Sequence, residues 1–339
     1  MKSFLKKKEI YLSPRIYFID VLGSMAFGLF ASLLVGTILN TLGQVLDLPF
    51  LSEYLWPMAR DATGAAIGVA IAYALKAPPL VLFSAAVVGT AGNALGGPVG
   101  TLISVLISTE IGKAISGETK IDILVTPCTT IAIGGVIANY IGPPLNHFMT
   151  FLGEVIMAAT NLQPLFMGII VSVIVGITLT LPISSAALCM MLSLSGRAGG
   201  AATAGCCAQM VGFAYMSWHD NGLKGVSAVG LGTSMLQMSN IMKNPWCWLP
   251  PTIAAAITGP ISTLVFKMEN TPLGSGMGTC GLVGQIETFR QMAKIQSTQN
   301  IAISILILHI FAPIIISAIV TSLLRKKGLI QKGDLTLEY

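Results

Sequence analysis

The chain has 339 residues and a net charge of +5, yet 54% of its residues are apolar and only 10% are charged. A soluble protein carries about 25% charged residues, and a mean hydropathy of +0.80 leaves too few polar side chains to cover two soluble domains. Composition therefore excludes an ordinary soluble protein and predicts an all-α polytopic membrane protein.

The positive charges are concentrated near the two ends of the sequence. They are Lys2, Lys6, Lys7, Lys8 and Arg15, followed by Arg325, Lys326, Lys327 and Lys332. Basic residues that flank apolar spans mark the cytoplasmic side of a membrane. We therefore expect a multi-pass membrane protein with both termini cytoplasmic. The lipid bilayer is the expected surrounding, and no nucleic-acid partner is expected.

The apolar runs, taken in chain order, predict about ten transmembrane helices. A helix needs about 20 apolar residues to cross a bilayer, and the clearest runs are Ile16–Leu39, Thr101–Ile115, Ile121–Ile141, Leu165–Leu181, Trp248–Phe266 and Ile301–Leu324. Four further runs are rich in small residues and suit close helix contacts: Ala62–Leu75, Leu80–Ala91, Gly199–Met216 and Val226–Met242. Short helices around Phe148–Ala159 and Ser184–Ser195 are expected to be re-entrant or interfacial.

Short motifs recur in the same order in the two halves of the sequence. The spacing Gly28-x3-Ser32-x2-Val35-Gly36 returns at Gly168–Gly176, and Thr126-Pro127 returns as Thr271-Pro272. Five helices in each copy is an odd number, so the copies are expected to form two inverted five-helix repeats. Such repeats are typical of secondary transporters that work by alternating access around a midplane site. The expected organisation is a basic tail at 1–15, repeats at 16–160 and 161–324, and a tail at 325–339.

Interruptions by glycine and proline in both copies point to the binding site. One pair is Asn93–Pro98 and Ala256–Pro260, where a break frees backbone groups that must face protein or water, unless each is a simple kink or a connection between spans. The other pair is the two Thr-Pro steps. The second step runs into a glycine-rich stretch, 274–281, that suits close approach of a polyhydroxylated or anionic ligand, or forms a flexible loop.

Carboxylates near membrane spans are costly and therefore become candidates for ligand binding. Glu110 and Glu287 are the strongest, although Glu110 with Lys113 and Glu287 with Arg290 also fit ion pairs at helix ends. The residues predicted to bind the solute are Asn93, Glu110, Thr126, Pro127, Asn270, Thr271, Pro272, Gln285 and Glu287.

The sequence has six cysteines without the spacing of a metal site, all in or beside apolar runs, and we expect them to be reduced, structural thiols. It shows no serine–histidine–aspartate set and no lysine of a P-loop. We therefore expect no cofactor, no metal and no catalytic residue, and no enzymatic activity from this chain by itself.

The segment Gly117–Pro127, followed by a small-residue helix from Ile131, resembles the membrane-embedded IIC components of the bacterial phosphotransferase system. Asn270–Pro272 and the run to Glu287 are similar in character, and the whole chain most resembles the group that includes the perfringolysin regulator-like proteins. The resemblance implies a homodimeric sugar permease with inverted repeats. Phosphorylation of the solute would then need separate IIA and IIB phosphocarrier proteins, because the tails are too short to contain them.

The leading hypothesis is a permease for a small polar solute, a sugar or a sugar acid. One alternative is a non-transporting membrane sensor that binds the same ligand and signals through a cytoplasmic partner. Another is a cation-coupled secondary carrier of a small organic acid, whose uptake would follow a sodium or proton gradient.

Overall fold

The computed structural model of the protein describes residues 2–11, 13–160 and 162–337. The outermost residues of both predicted tails and the first residue of the predicted second repeat lie outside the described residues. Over the described part of the chain, 83% of residues are helical and no strand is present, which confirms the all-α class. The chain divides into two compact units, Met1–Met149 and Thr150–Tyr339.

The first unit consists of helices joined by short turns. They are α1 (Lys2–Lys7), α2 (Ile16–Gln44), α3 (Trp56–Asp61), α4 (Thr63–Ala74), α5 (Pro79–Ile115) and the start of α6 (Asp122–Thr160). Three π-helical segments accompany them, Ile16–Asp20 and Phe30–Leu34 within α2 and Phe50–Leu55 before α3. Helices α2 and α4 approach closely because Gly28 has no side chain: a Cβ there would lie 2.8 Å from the carbonyl oxygen of Ala66.

Helix α5 folds back on itself, so that its two arms run side by side. Gly96 and Gly97 leave helical geometry, with Gly97 at φ 61° and ψ −159°, and Pro98 follows at the start of the second arm. The Thr101 hydroxyl donates to the Gly89 carbonyl at 3.2 Å, whereas residues twelve apart in a straight helix are about 18 Å apart. The interruption predicted here is therefore a reversal between two arms, each roughly 25 Å long.

The second unit has more helices and more irregular turns. Its helices are α7 (Pro164–Thr180), α8 (Ser185–Met191), α9 (Gly196–Ser227), α10 (Met238–Lys243), α11 (Pro245–Phe266), α12 (Pro272–Ser275), α13 (Val283–Met292) and α14 (Thr298–Lys326). Its 3₁₀ and π segments are Ala228–Gly232, Ser234–Gln237, Pro245–Trp248, Ile261–Phe266, Cys280–Leu282 and Leu306–Phe311. Helices α7 and α9 meet at glycines, since a Cβ on Gly176 would lie 2.8 Å from the Gly205 carbonyl oxygen.

Helix α9 also reverses direction, at Gly222, where φ is 61° and ψ is −151°. A Cβ on Gly230 would lie 3.2 Å from the Cβ of Ala214, so the chain on the two sides of Gly222 runs side by side.

Five helices among the described residues are long and apolar enough to cross a membrane: α2, α5, α6, α11 and α14. Helices α4 and α7 are shorter apolar helices. The two predicted interruptions differ, because the chain reverses at Gly96–Gly97 whereas Gly259–Pro260 lies inside the continuous helix α11. The arrangement as ten helices in inverted repeats therefore stays a prediction.

Residues 329–337 follow α14, and polar side chains of the second unit bind their backbone. Asn221 makes two of these contacts: Nδ2 donates to the Leu335 carbonyl at 2.7 Å, and Oδ1 accepts from the Leu337 amide at 2.8 Å. Four other side chains bind backbone groups of residues 329–337: Asp220, Gln237, Asn240 and Asn244. These contacts hold the segment firmly against the helices.

Candidate functional site

The second unit carries a cluster of the predicted site residues in the segment between α11 and α13. Helix α11 ends at Lys267, which is left-handed with φ 47°, and the chain then pairs Asn270 with Gly196 in an isolated antiparallel bridge. Thr271 caps the short helix α12, its hydroxyl accepting from the Gly274 amide at 3.3 Å. Pro272 is the first residue of α12, where its fixed φ favours helix initiation and its missing N–H is not needed.

Glycines allow this segment to lie directly against α9 and α13. A Cβ on Gly199 would lie 2.6 Å from the Ser275 hydroxyl, and a Cβ on Gly274 would lie 2.6 Å from the Cβ of Glu287. Side chains also bind the segment, because the Ser185 hydroxyl donates to the Gly276 carbonyl at 2.7 Å. The glycine-rich stretch is thus a packed part of the unit, not a loose loop.

Asn270 is fully buried, and its side-chain amide is saturated with hydrogen bonds. The two hydrogens of its Nδ2 are shared among three acceptors, which are the hydroxyls of Thr203 at 2.6 Å and Thr288 at 3.0 Å and the Gly284 carbonyl at 3.1 Å. Its Oδ1 accepts from the Thr271 amide at 2.7 Å. One side chain therefore fixes α9, the segment before α12 and α13 relative to one another.

The Glu287 carboxylate lies beside Thr271 and ends the cluster at its exposed side. Its Oε2 accepts from the Thr271 hydroxyl at 2.9 Å, and its Oε1 accepts from Arg290 Nη1 at 2.8 Å. The Glu287 side chain is 12% exposed, whereas that of Arg290 is 46% exposed. One carboxylate oxygen is thus bound by the Thr271 hydroxyl, and the other is paired with the half-exposed Arg290.

Gln285 lies two residues before Glu287 on α13 and therefore about 200° around the helix from it. Its Nε2 donates to the Cys207 sulfur at 3.3 Å, and its Oε1 is buried without a hydrogen-bond partner. An unsatisfied buried acceptor costs about 1–3 kcal/mol. Cys207 is one of five buried cysteines, all of them free thiols.

In the first unit, Glu110 belongs to a buried ion pair on the second arm of α5. Its Oε2 is 3.2 Å from the ammonium of Lys113, and its Oε1 accepts from the Tyr17 hydroxyl at 3.1 Å. The Lys113 side chain is only 2% exposed, and its ammonium also donates to the carbonyls of Leu75 at 2.7 Å and Glu9 at 2.9 Å. Two donors of the ammonium are therefore used in hydrogen bonds within the unit, while Glu110 Oε2 is its ion-pair partner without a hydrogen bond.

The other predicted residues of the first unit lie on separate helices. The buried Thr126 hydroxyl donates to Asp122 Oδ1 at 2.6 Å in the first turn of α6, and Pro127 follows inside that helix. Asn93 is half-buried near the end of the first arm of α5, close to Gly64 of α4. The two Thr-Pro steps thus differ, since Thr126 lies within a helix while Thr271 caps one.

The nine predicted residues fall into two groups. Asn270, Thr271, Pro272, Gln285 and Glu287 lie in the second unit, and four of them, all except Gln285, form the cluster around Asn270 and Glu287. Thr203 and Thr288, which bind Asn270, were missed. Thr203 lies in an Ala-Thr pair, Ala202-Thr203, that also occurs in the first half as Ala62-Thr63, but nothing in the sequence identified it as a hydrogen-bond partner.

A family model described as Phosphotransferase system, EIIC matches residues 19–337 of the chain. No curated protein and no solved structure matches the chain. The matched range covers most of both units and every residue of the predicted site.

Proposed function

The chain belongs to the phosphotransferase system EIIC family, and we propose that it binds a sugar or sugar acid at the Thr271–Glu287 cluster of its second unit. Membership makes the protein a multi-pass membrane component of sugar transport and confirms the family resemblance found in the sequence. Membership of the perfringolysin regulator-like group stays a prediction.

The Glu287 carboxylate is the observation that carries the proposal. A carboxylate accepts hydrogen bonds from sugar hydroxyls, and charge-assisted bonds of this kind are about twice as strong as neutral ones. One oxygen is oriented by Thr271, while the other is paired with the half-exposed Arg290. A solute hydroxyl replaces Arg290 at that oxygen, and the released guanidinium is then able to bind the carboxylate of a sugar acid.

The neighbouring residues have different parts in this proposal. Asn270 positions Thr271 and α13 and does not itself contact the solute, because its amide is already saturated. Pro272 fixes the start of α12. Gln285 lies on another face of α13, with a buried acceptor that has no partner, and stays a predicted lining residue.

Of the two carboxylates predicted to bind solute, the geometry favours Glu287 over Glu110. The Glu110 carboxylate is the counter-ion of the Lys113 ammonium, which is only 2% exposed, so a solute that drew the carboxylate away would leave a buried charge unpaired. Asn93, Thr126 and Pro127 stay predicted lining residues of the first unit.

We also propose alternating access for the transport step. Irregular backbone at membrane depth is tolerated where it lines a cavity or is buried in protein, and the segment between α11 and α13 is irregular over residues 267–282. The basic residues at both ends support cytoplasmic termini in a bacterial cytoplasmic membrane. Family membership supports separate IIA and IIB proteins as the source of phosphate and a homodimeric assembly.

The first test is a thermal-shift screen of the purified full chain in detergent against sugars, polyols, sugar acids and small organic acids, with and without sodium. A ligand at 100 times its dissociation constant stabilises by about 2.7 kcal/mol, which gives a measurable shift. A sugar or sugar acid is the expected hit. Stabilisation by sodium or an organic acid alone would contradict the solute class and favour a cation-coupled carrier.

The second test locates the site by replacing each of the two glutamates, in separate variants, with glutamine. Glu287→Gln is expected to weaken binding of the hit about tenfold or more, since one charge-assisted hydrogen bond contributes about 1.5–3 kcal/mol. Glu110→Gln is the matched control and is expected to leave the affinity unchanged. The reverse pattern would move the site to the first unit.

A further inference from the structure

A cavity of about 450 Å³ lies between α9 and the last turns of α14, away from the Thr271–Glu287 cluster. Both helices line it with side chains that carry N–H or O–H donors. These are Tyr215 and His219 from α9, and Thr321, Ser322, Arg325 and Lys326 from α14. No acidic residue is among the described side chains that line it, so the cavity is positively charged.

Three polar atoms on its wall are buried and have no hydrogen-bond partner. They are the Thr321 hydroxyl oxygen and two nitrogens of Arg325, Nε and Nη2. Thr321 and Arg325 are one helical turn apart, so these donors lie on one face of α14. Buried polar groups are nearly always paired in folded proteins, and leaving a buried charge unpaired is strongly unfavourable. These three donors are therefore all hydrogen-bonded only when an acceptor occupies the cavity.

The geometry of these donors defines the acceptor. Nε and Nη2 form one edge of the guanidinium, which binds two oxygens of a single anion side by side. The acidic residues nearest along the chain to Arg325 and His219 are Asp334 and Asp220, and both are already engaged. Asp334 Oδ2 accepts from Asn244 Nδ2 at 2.7 Å and from the Gln331 amide at 2.8 Å. The two oxygens of Asp220 accept from the backbone amides of Gly333 and Leu335, at 3.1 Å each. Neither carboxylate forms a direct ion pair with Arg325 among the described contacts.

We propose that this cavity binds a phosphate group. A phosphate offers three or more oxygens, enough for the Arg325 edge, the Thr321 hydroxyl and Lys326 at once, whereas a carboxylate offers two. The headgroup of an anionic phospholipid and a soluble phosphate share this chemistry.

The position of the cavity suits the phosphate layer of a bilayer. It lies at the end of α14, a helix long and apolar enough to cross the membrane. Ile315, Ile319 and Leu323 form an exposed apolar row on another face of the same helix, and basic residues follow directly after it. The headgroup layer at this end of α14 would therefore lie at the level of Arg325 and the cavity.

The test uses the purified, delipidated full chain in detergent with three probes: dioctanoyl phosphatidylglycerol, inorganic phosphate and dioctanoylglycerol, which lacks the phosphate. Phosphatidylglycerol is expected to raise the melting temperature, and dioctanoylglycerol is not. An equal rise with inorganic phosphate identifies a soluble ligand, and a rise with the lipid alone identifies a headgroup. Equal effects of the two lipids, or no effect of any probe, would overturn the proposal.

Arg325→Gln is expected to weaken phosphate binding at least about tenfold, the loss expected for one charge-assisted hydrogen bond. Lys327→Gln is the matched control, because it removes a positive charge at the same helix end from an exposed side chain that does not line the cavity. Unchanged affinity in the Arg325 variant would overturn the proposal.

A second variant guards against a folding defect in the first. Thr321→Val removes an unpartnered hydroxyl of nearly the same shape, so the protein without ligand is expected to melt at the wild-type temperature or above it. Its affinity for the effective probe is expected to fall severalfold. An affinity equal to that of the wild type would show that the hydroxyl does not face the anion and would overturn the assigned geometry.

Discussion

Two glutamates with the same local pattern have different surroundings in the two units. Glu110 and Glu287 each precede a basic residue by three positions, each is 12% exposed and each accepts from one hydroxyl. The base differs, since Lys113 is 2% exposed and Arg290 is 46% exposed. Tertiary contacts thus make one pair a buried connection between helices, whereas the base of the other pair is half-exposed.

The lysine shows why the local pattern alone is ambiguous. Its ammonium uses two main-chain carbonyls as well as Glu110, so its buried charge is stabilised from three sides. Arg290 reaches the surroundings, where ion pairs contribute little to stability. The contribution of such an ion pair to stability therefore depends on whether its basic side chain is buried or exposed.

The largest predicted effect comes from removing that base. Lys113→Met is expected to destabilise the protein by about 3–5 kcal/mol, because it leaves the Glu110 carboxylate buried without its partner. Arg290→Met, the same change in the other pair, is expected to cost less than about 1 kcal/mol. Thermal or denaturant unfolding in detergent measures both, and equal losses would remove the distinction between the pairs.

The second prediction concerns Asn270, which positions Thr271 beside the Glu287 carboxylate. Asn270→Ala is expected to cost about 1–3 kcal/mol, since buried donors and acceptors lose their partner, and to weaken sugar binding by displacing Thr271. Asn93→Ala is the matched control in the first unit, at a half-buried side chain, and is expected to cost less than about 1 kcal/mol. Comparable stability and ligand affinity in the two variants would contradict the positioning role of Asn270.

The third prediction compares the two hydroxyls that bind the carboxylates. Tyr17→Phe is expected to cost about 0.5–1.5 kcal/mol, the net contribution of one hydrogen bond, and to leave ligand affinity unchanged. Thr271→Val is expected to show a similar loss of stability together with a weaker affinity for the solute. Melting curves with and without the ligand separate the two effects, and a change in affinity for the Tyr17 variant would speak against a purely structural Glu110 pair.

The smallest predicted effect is at an exposed ion pair of the first unit. Lys8 lies 2.5 Å from the Glu118 carboxylate, and its hydrogen bond and charge lower the pKa of Glu118 below the ordinary value of 4.5. The pair therefore stabilises the folded protein above pH 4.5, and this contribution is lost as pH falls through the lowered pKa. Melting temperatures between pH 6 and 3 are expected to fall slightly less in Glu118→Gln than in the wild type, and identical curves would show that the pair contributes nothing.

The sequence predicts the parts of the fold that local chemistry determines. The reversals at Gly96–Gly97 and Gly222 coincide with glycines, which adopt positive φ without strain. The small residues of α9 predict its close helix contacts in the same way. The family resemblance was also recognisable, and the family match confirms it.

The sequence did not predict which polar groups meet. Lys113 binds carbonyls that lie 38 and 104 positions away along the chain, and any residue type offers such a carbonyl. Asn270 and Thr203 are likewise 67 positions apart. Contacts of this kind depend on the packed structure. Both glutamates were therefore predicted to bind the solute, because the sequence does not show which base is buried.

The backbone segment 329–337 sets an order of events during synthesis of the second unit. Asn221 and Leu335 are 114 positions apart, so at about 5–20 residues per second the Asn221 amide waits roughly 6–23 s for its partner. Until then the polar side chains that bind this segment face water, lipid headgroups or the insertion machinery. The second unit therefore completes its folding late, because the hydrogen bonds to residues 329–337 form only after α14 has been synthesised.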